Sequence, residues 1–259
     1  PLQNNTFSTL FVGQNFIKLK EVDSTNNFLK KMVSNSEPLA EGTVIMADHQ
    51  YAGRGQQTSV WVTAPGKNIS TSIYLRPTFL PLNKQFYLNM AVSIAVCEAL
   101  STFISNGIKL KWPNDIYYNK KKLGGILIEN TLTGVSLKSA VIGIGLNINQ
   151  EDFPSELSEK ATSVIQILHK EVVLNDIMEK IFVFMEKYYL ILKSGKYDIL
   201  QKDYLKRLYN FNILAPYQRS GEIFEGIIKG VEEDGRLIVE TRAGIQVFNF
   251  KEIEFIHTQ

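Results

Sequence analysis

Lys111-Trp-Pro-Asn-Asp-Ile-Tyr-Tyr-Asn-Lys-Lys-Lys-Leu-Gly-Gly-Ile-Leu-Ile-Glu129 reads as the end of a strand, a stop, a basic turn and a second strand. The apolar run Ile108 to Trp112 enters it, and Pro113 ends regular pairing because its φ is fixed and it carries no N–H. Asn114 and Asp115 favour turns, so the Asp115 carboxylate sits at a strand end. Lys122 opens the return strand after a short hairpin, which brings both groups to one end of a sheet. Gly124 and Gly125 then mark close approach of a ligand or another backbone. An Asp beside Asn114 is also an ordinary turn former, and a hairpin lysine is ordinarily solvated. A cation at this place, however, can hold a carboxylate and neutralise phosphate charge together, which makes Asp115 and Lys122 the candidates for chemistry.

Outward from this hairpin the pattern is that of an α+β protein. Phe16 to Val22 and Thr43 to Ala47 read as strands, and Asp23-Ser-Thr-Asn26 supplies capping residues before the helical pattern Phe28, Leu29, Met32, Val33. Asn68 to Leu75 alternates as a half-buried strand, whereas Phe86, Met90, Ile94, Cys97 and Leu100 recur at helical spacing. Ser136 to Ile148 is a further strand and ends in Gly143-Ile-Gly145-Leu-Asn147-Ile-Asn149, with amides at its exit; two glycine-marked strands predict one shared floor. Leu157 to Leu208 reads as mostly helical, with an apolar stripe from Ile177 to Leu192, and offers no chemistry. Beyond Asn212, short apolar strands separated by Ser220-Gly221, Asp234-Gly235 and Ala243-Gly244 fit a small β-barrel or SH3-like domain. The expected architecture is a central mixed sheet with flanking helices in residues 1–210, plus the barrel in residues 211–259.

With 28 Lys+Arg against 26 Asp+Glu the net charge is only +2, too little to make nucleic acid the default partner. Pro1 to Lys20 lacks a signal-peptide pattern and no stretch approaches ~20 apolar residues, so a soluble, cytoplasmic protein is expected. Cys97 is the only cysteine, which excludes an internal disulfide and a cysteine-based metal cluster. His49, His169 and His257 are scattered without metal-ligand spacing, and no G-x-S-x-G motif supports a Ser-His-Asp triad.

The polar loop Asp48 to Ser59 contains Gly53-Arg54-Gly55, with Gln50 before it and Trp61 after it. No G-x-G-x-x-G or Walker A pattern follows, and Gly-x-Gly alone is an ordinary turn. Its setting points further: amides freed by glycines hold an anionic group, and an indole covers an aromatic base. The composition of the loop predicts mobility without ligand.

Gln50-Tyr-Ala-Gly-Arg-Gly55 with Trp61, Lys111-Trp-Pro-Asn-Asp115, Lys122-Leu-Gly-Gly-Ile-Leu127 and Gly143-Ile-Gly-Leu-Asn147, in this order and with Asp23-Ser-Thr-Asn26 ahead of them, resemble the motifs of biotin protein ligases. The resemblance covers nearly the whole chain and implies the class II synthetase-like fold shared by biotin and lipoate ligases. It implies a two-step reaction: biotin and MgATP form biotinyl-5′-AMP, then a lysine of a biotin carboxyl carrier protein attacks the acyl carbon. By the same resemblance Lys122 touches both the acyl carbonyl and the α-phosphate, and Asp115 orients the reacting groups. Ser24, Thr25 and Gln50 bond the ureido ring, the Arg54 backbone donates an amide, and Gly53, Gly55, Gly125, Gly143 and Gly145 let biotin lie against backbone. Trp61 covers the adenine, while Gln56, Lys111 and Asn147 lie near the nucleotide. Mg²⁺ enters with ATP rather than at an assigned protein site.

Two departures stand out. Where such ligases often continue Gly-Arg-Gly with Arg-x-Gly-Arg, this chain has Gln56-Gln-Thr-Ser59, so two expected cations are absent and weaker holding of the adenylate is expected. The core begins within the first twenty residues, which leaves no room for an N-terminal DNA-binding domain, and DNA binding is not expected. The resemblance also allows a homodimer through sheet edges. The rival readings are a lipoate or octanoate ligase or transferase, which has an equivalent lysine, and a non-catalytic biotin sensor, which has no use for both Lys122 and Asp115.

Overall fold

The computed structural model describes residues 7–34, 38–56, 59–134 and 136–256; Gln57, Thr58 and His257 lie outside them, as do Pro1 to Thr6. Seven strands form one mixed sheet. β1 (Phe16–Val22) and β2 (Val44–Gln50) are parallel, joined by the crossover helix α1 (Thr25–Ser34) as parallel neighbours require. β3 (Ile69–Leu75), β4 (Ile108–Lys111), β5 (Asp115–Tyr118), β6 (Lys121–Thr133) and β7 (Ser136–Leu146) pair antiparallel, and the spatial order is β1-β2-β3-β7-β6-β5-β4. The two glycine-bearing strands, β6 and β7, are neighbours, with Gly125 opposite Gly145.

One face of this sheet is covered by α2 (Phe86–Ser101), which is apolar on nearly all sides and is therefore buried between the sheet and two further helices, α4 (Leu174–Lys193) and α5 (Tyr197–Arg207). Cys97 lies in this layer at 1% exposure, and burial pushes its thiol up to about 12, so it is packing material rather than a nucleophile. On the opposite face a smaller apolar cluster, Leu29, Ile45, Tyr74 and Val141, sits under α1.

β3 is buried along its whole length, not half-buried as its alternation predicts. The cause is α1: Ser72 Oγ donates to Asn26 Oδ1 at 2.5 Å and shares a hydrogen bond with the Thr25 hydroxyl at 2.7 Å, so the polar side of the strand faces a polar helix terminus instead of water. Residues 157–163 also depart from the helical expectation. Ser155-Glu-Leu-Ser-Glu-Lys160 follows Pro154 with one apolar residue and no face to bury, and it runs as turns before the short helix α3 (Val164–Leu168).

A second, antiparallel sheet of β8 (Leu214–Arg219), β9 (Glu222–Val231), β10 (Leu237–Thr241), β11 (Gly244–Phe248) and β12 (Glu254–Phe255) has the order β11-β10-β9-β8-β12. The predicted dipeptides Ser220-Gly221 and Asp234-Gly235 fall between its strands, and Ala243-Gly244 spans the turn into β11. Its apolar side joins the core of the first sheet without a break: Trp112 Nε1 donates to the Gly235 carbonyl at 2.8 Å, and the Trp112 and Phe250 rings lie 5.2 Å apart. Gly235 has φ 98°, and a Cβ there would stand 2.5 Å from Phe86, so glycine serves both the turn and the close approach of the sheets. Among the described residues no helix is long and apolar enough to cross a membrane.

Candidate active site

Asp115 and Lys122 meet at 2.6 Å between Oδ1 and Nζ, each side chain partly exposed. The hairpin alone does not produce this contact. Asp115 pairs with Gly125 and Tyr117 with Lys122, and the register shifts between Ile116 and Tyr117, which is a β-bulge on β6. The bulge turns Lys122 to the face that carries Asp115, and the bare backbone of Gly125 gives the lysine room to lie there. A Cβ on Gly125 would stand 3.3 Å from Asp115 Oδ1 and 3.6 Å from Lys122 Nζ. The turn segment before α3 then clamps the lysine backbone: Lys122 N donates to Lys160 O at 2.8 Å, and Thr162 N donates to Lys122 O at 2.9 Å. A stretch read as chemically empty thus fixes the principal cation.

Lys111 stands beside this pair. Its Nζ donates to the Tyr117 hydroxyl at 3.1 Å and lies 4.7 Å and 5.1 Å from the ring centres of Tyr117 and Phe255. Burial lowers its pKa, the Asp115 carboxylate opposes that shift and the Lys122 charge adds to it. Desolvation also raises the Tyr117 phenol, which stays protonated.

A cavity of about 600 Å³ opens above these groups. Its walls include Ser24, Thr25, Gln50, Arg54, Gly55 and Gln56, together with Trp61, Lys111, Asp115, Lys122, Gly125, Gly143 and Gly145. The indole of Trp61 lies on Gly145, where a Cβ would come within 2.5 Å of it, and its buried Nε1 has no hydrogen-bond partner among the described residues. The Thr25 amide and hydroxyl both donate to Gln50 Oε1, at 2.8 and 3.1 Å, which holds these two polar side chains together at one end of the cavity.

Two predicted residues stand off the wall. Gly53 is bare for the sake of its own chain, since a Cβ there would stand 2.3 Å from the Trp61 carbonyl. Asn147 is buried, and its side chain donates to the Thr162 carbonyl at 3.1 Å, so it braces the segment that clamps Lys122. His49 meets Glu21 at 3.1 Å, away from the cavity, and among the described residues no three His, Cys, Asp or Glu side chains group as a metal site.

Several wall residues escaped the sequence reading. Ser70 and Thr71 come from β3, and Lys251, Ile253, Glu254 and Phe255 reach the cavity from the second sheet. The signal for the first two was present in Ser70-Thr-Ser72, a polar run inside a strand; for the others, nothing local marks a residue of one sheet as the wall of another's cavity. Glu129 ends the stretch that carries Asp115 and Lys122, and no local pattern marks it for a role. Its Oε1 meets Lys30 Nζ at 2.7 Å, and its Oε2 accepts from Arg54 at 2.7 Å and from Asn26 at 2.8 Å. Burial raises its pKa, but the Lys30 and Asn26 hydrogen bonds and the Lys30 and Arg54 charges outweigh burial and hold the carboxyl below its ordinary value.

The cavity brings a cation–carboxylate pair, exposed strand backbone and an aromatic cover to one place, an arrangement suited to joining an acid to a phosphate. Residues 19–147 match the biotin/lipoate A/B protein ligase family, and residues 215–255 match the biotin protein ligase C terminal domain. The bifunctional ligase/repressor BirA of Bacillus spizizenii is 31% identical over 248 residues, spanning 95% of this chain and 75% of that protein. The biotin--[acetyl-CoA-carboxylase] ligase of Paracoccus denitrificans is 25% identical over 242 residues, 92% of this chain and 99% of that one. Among solved structures, the biotin protein ligase from Aquifex aeolicus in complex with biotin and ATP superposes with a TM-score of 0.79 at 26% identity, covering 94% of this chain and 99% of that chain.

Proposed function

This chain belongs to the biotin protein ligase family, and from that premise we propose how its cavity carries the reaction. The enzyme uses ATP to biotinylate a carboxylase carrier protein. In the first step a biotin carboxylate oxygen attacks the α-phosphorus of ATP, the α–β phosphoanhydride bond breaks, and pyrophosphate leaves biotinyl-5′-AMP behind. In the second a carrier lysine amine attacks the acyl carbon, an amide forms and AMP leaves.

Both steps bring negative groups together, so positioning and fixed cations dominate their barriers. Lys122 is the cation shared by acyl carbonyl and α-phosphate, and the observation that carries this reading is its 2.6 Å contact with Asp115 above the bare Gly125. Asp115 orients Lys122 in the first step and is the carboxylate nearest the incoming amine in the second. Ser24, Thr25 and Gln50 hold the ureido ring; the existing hydrogen bonds between Thr25 and Gln50 favour a prearranged end to the pocket. The Arg54 amide is a further donor of the same pocket, and Trp61 covers the adenine. With glutamine at position 56, the nucleotide leans on Lys122 and Lys111.

Mg²⁺ fits as an ion carried by the triphosphate, because oxygen-rich phosphates suit it and the described residues of the cavity wall offer only two carboxylates, Asp115, already paired with Lys122, and Glu254. When bound it neutralises phosphate charge.

The test is pyrophosphate release from ATP with biotin, with lipoate and with neither. Release that requires biotin is expected. Release with lipoate selects a lipoate ligase, and no release while biotin still binds selects a sensor.

A further inference from the structure

We propose that Glu129 is a positioning residue that latches the ligand-covering loop: its carboxylate fixes the Arg54 side chain and thereby the Arg54 backbone amide. The inference rests on the biotin reading for the purpose of the latch, but not for its existence, which is geometric.

Glu129 is a single carboxylate facing two cations. Lys30 comes from α1 and Arg54 from the loop, with the Asn26 amide as a third donor. Asn26 in turn accepts from Ser72, the Ser72 and Thr25 hydroxyls are hydrogen-bonded to each other, and the Thr25 amide donates to Gln50. The string therefore starts at Gln50, crosses the sheet through α1 and β3, and returns at Arg54 of the same loop. Gly143 makes the crossing possible, because a Cβ there would stand 2.6 Å from Asn26 Oδ1. An ordinary exposed ion pair ends at its partner and contributes little; this one closes a ring across the base of the loop. Without the Glu129 charge, Lys30 and Arg54 are two like charges side by side, and Arg54 leaves.

Within the loop, Gly55 N donates to Ser59 O and Trp61 N donates to Gly53 O, so exchange of these two amides reports its opening without any ligand. Glu129→Gln keeps the size and the Asn26 contact. In that variant the Gly55 and Trp61 amides are expected to exchange about tenfold faster, biotin to dissociate about tenfold faster, and kcat at saturating substrates to stay within about twofold. Arg54→Ala should speed exchange by a similar factor, and the double variant no more than either single one, because both remove one contact. Unchanged exchange in Glu129→Gln, multiplicative effects in the double variant, or equal acceleration of β3 and β7 amides would each overturn the latch. If the parent protein bound no biotin, that reading would fall while the exchange result still decided the latch.

Discussion

Lys122 owes its position to Asp115, to Gly125 and to a β-bulge, which differ in how visible they are. Asp115 and Gly125 lie in the same short stretch of sequence, and the chemistry of a carboxylate, a lysine and a bare strand was legible there. The β-bulge that turns Lys122 onto the Asp115 face was not, because a bulge is a property of strand pairing and leaves no sure mark in one strand. Glu129 was quoted but silent, since its partners Arg54 and Lys30 lie 75 and 99 residues away in the chain. Lys122→Ala removes the preorganised cation and should lower adenylate formation by about 10²–10³-fold in a pyrophosphate-release assay. A rate near that of the parent protein would take Lys122 out of the mechanism.

At the scale of elements, the loop between β2 and β3 and the strand β3 set the two ends of the site. The loop was recognisable by its glycines, yet the same glycines misled at position 53, where the bare backbone serves the Trp61 carbonyl. β3 was found with correct ends to within a residue, but its alternation said half-buried; periodicity reports which side chains share a face and not what covers that face. The glutamine at position 56 is an element-level effect, because it puts an uncharged hydrogen-bonding side chain on the loop where an arginine was expected. Gln56→Arg should slow release of the adenylate, measured as dissociation of preformed biotinyl-5′-AMP from the enzyme. No slowing would place the weak point elsewhere.

For the whole molecule, the division near Phe211 is a division of sheets and not of cores. Trp112, Phe86 and Tyr204 from the first part share one apolar cluster with Tyr217, Ile228, Val239 and Phe248 from the second. A core continuous across a proposed boundary couples the unfolding of its two sides. We therefore expect a single calorimetric transition, and expect residues 1–210 alone to expose Trp112 and to aggregate; two resolved transitions would contradict this. The turn dipeptides made the second sheet legible, whereas its docking on Trp112, and hence its share of the cavity wall, depends on packing that no local pattern encodes.

That docking also sets the chain's two tryptophans apart in burial. Trp112 is held between the sheets at 4% exposure with an edge on the cavity, and the indole of Trp61 lies on Gly145 in the cavity wall. The protein accordingly contains its own optical reporters: a base stacked on Trp61 changes its emission, against the background of the more deeply buried Trp112. Nucleotide addition should quench or shift the signal in the parent protein and do so by much less in Trp61→Phe, so that occupancy is read from unlabelled protein in real time.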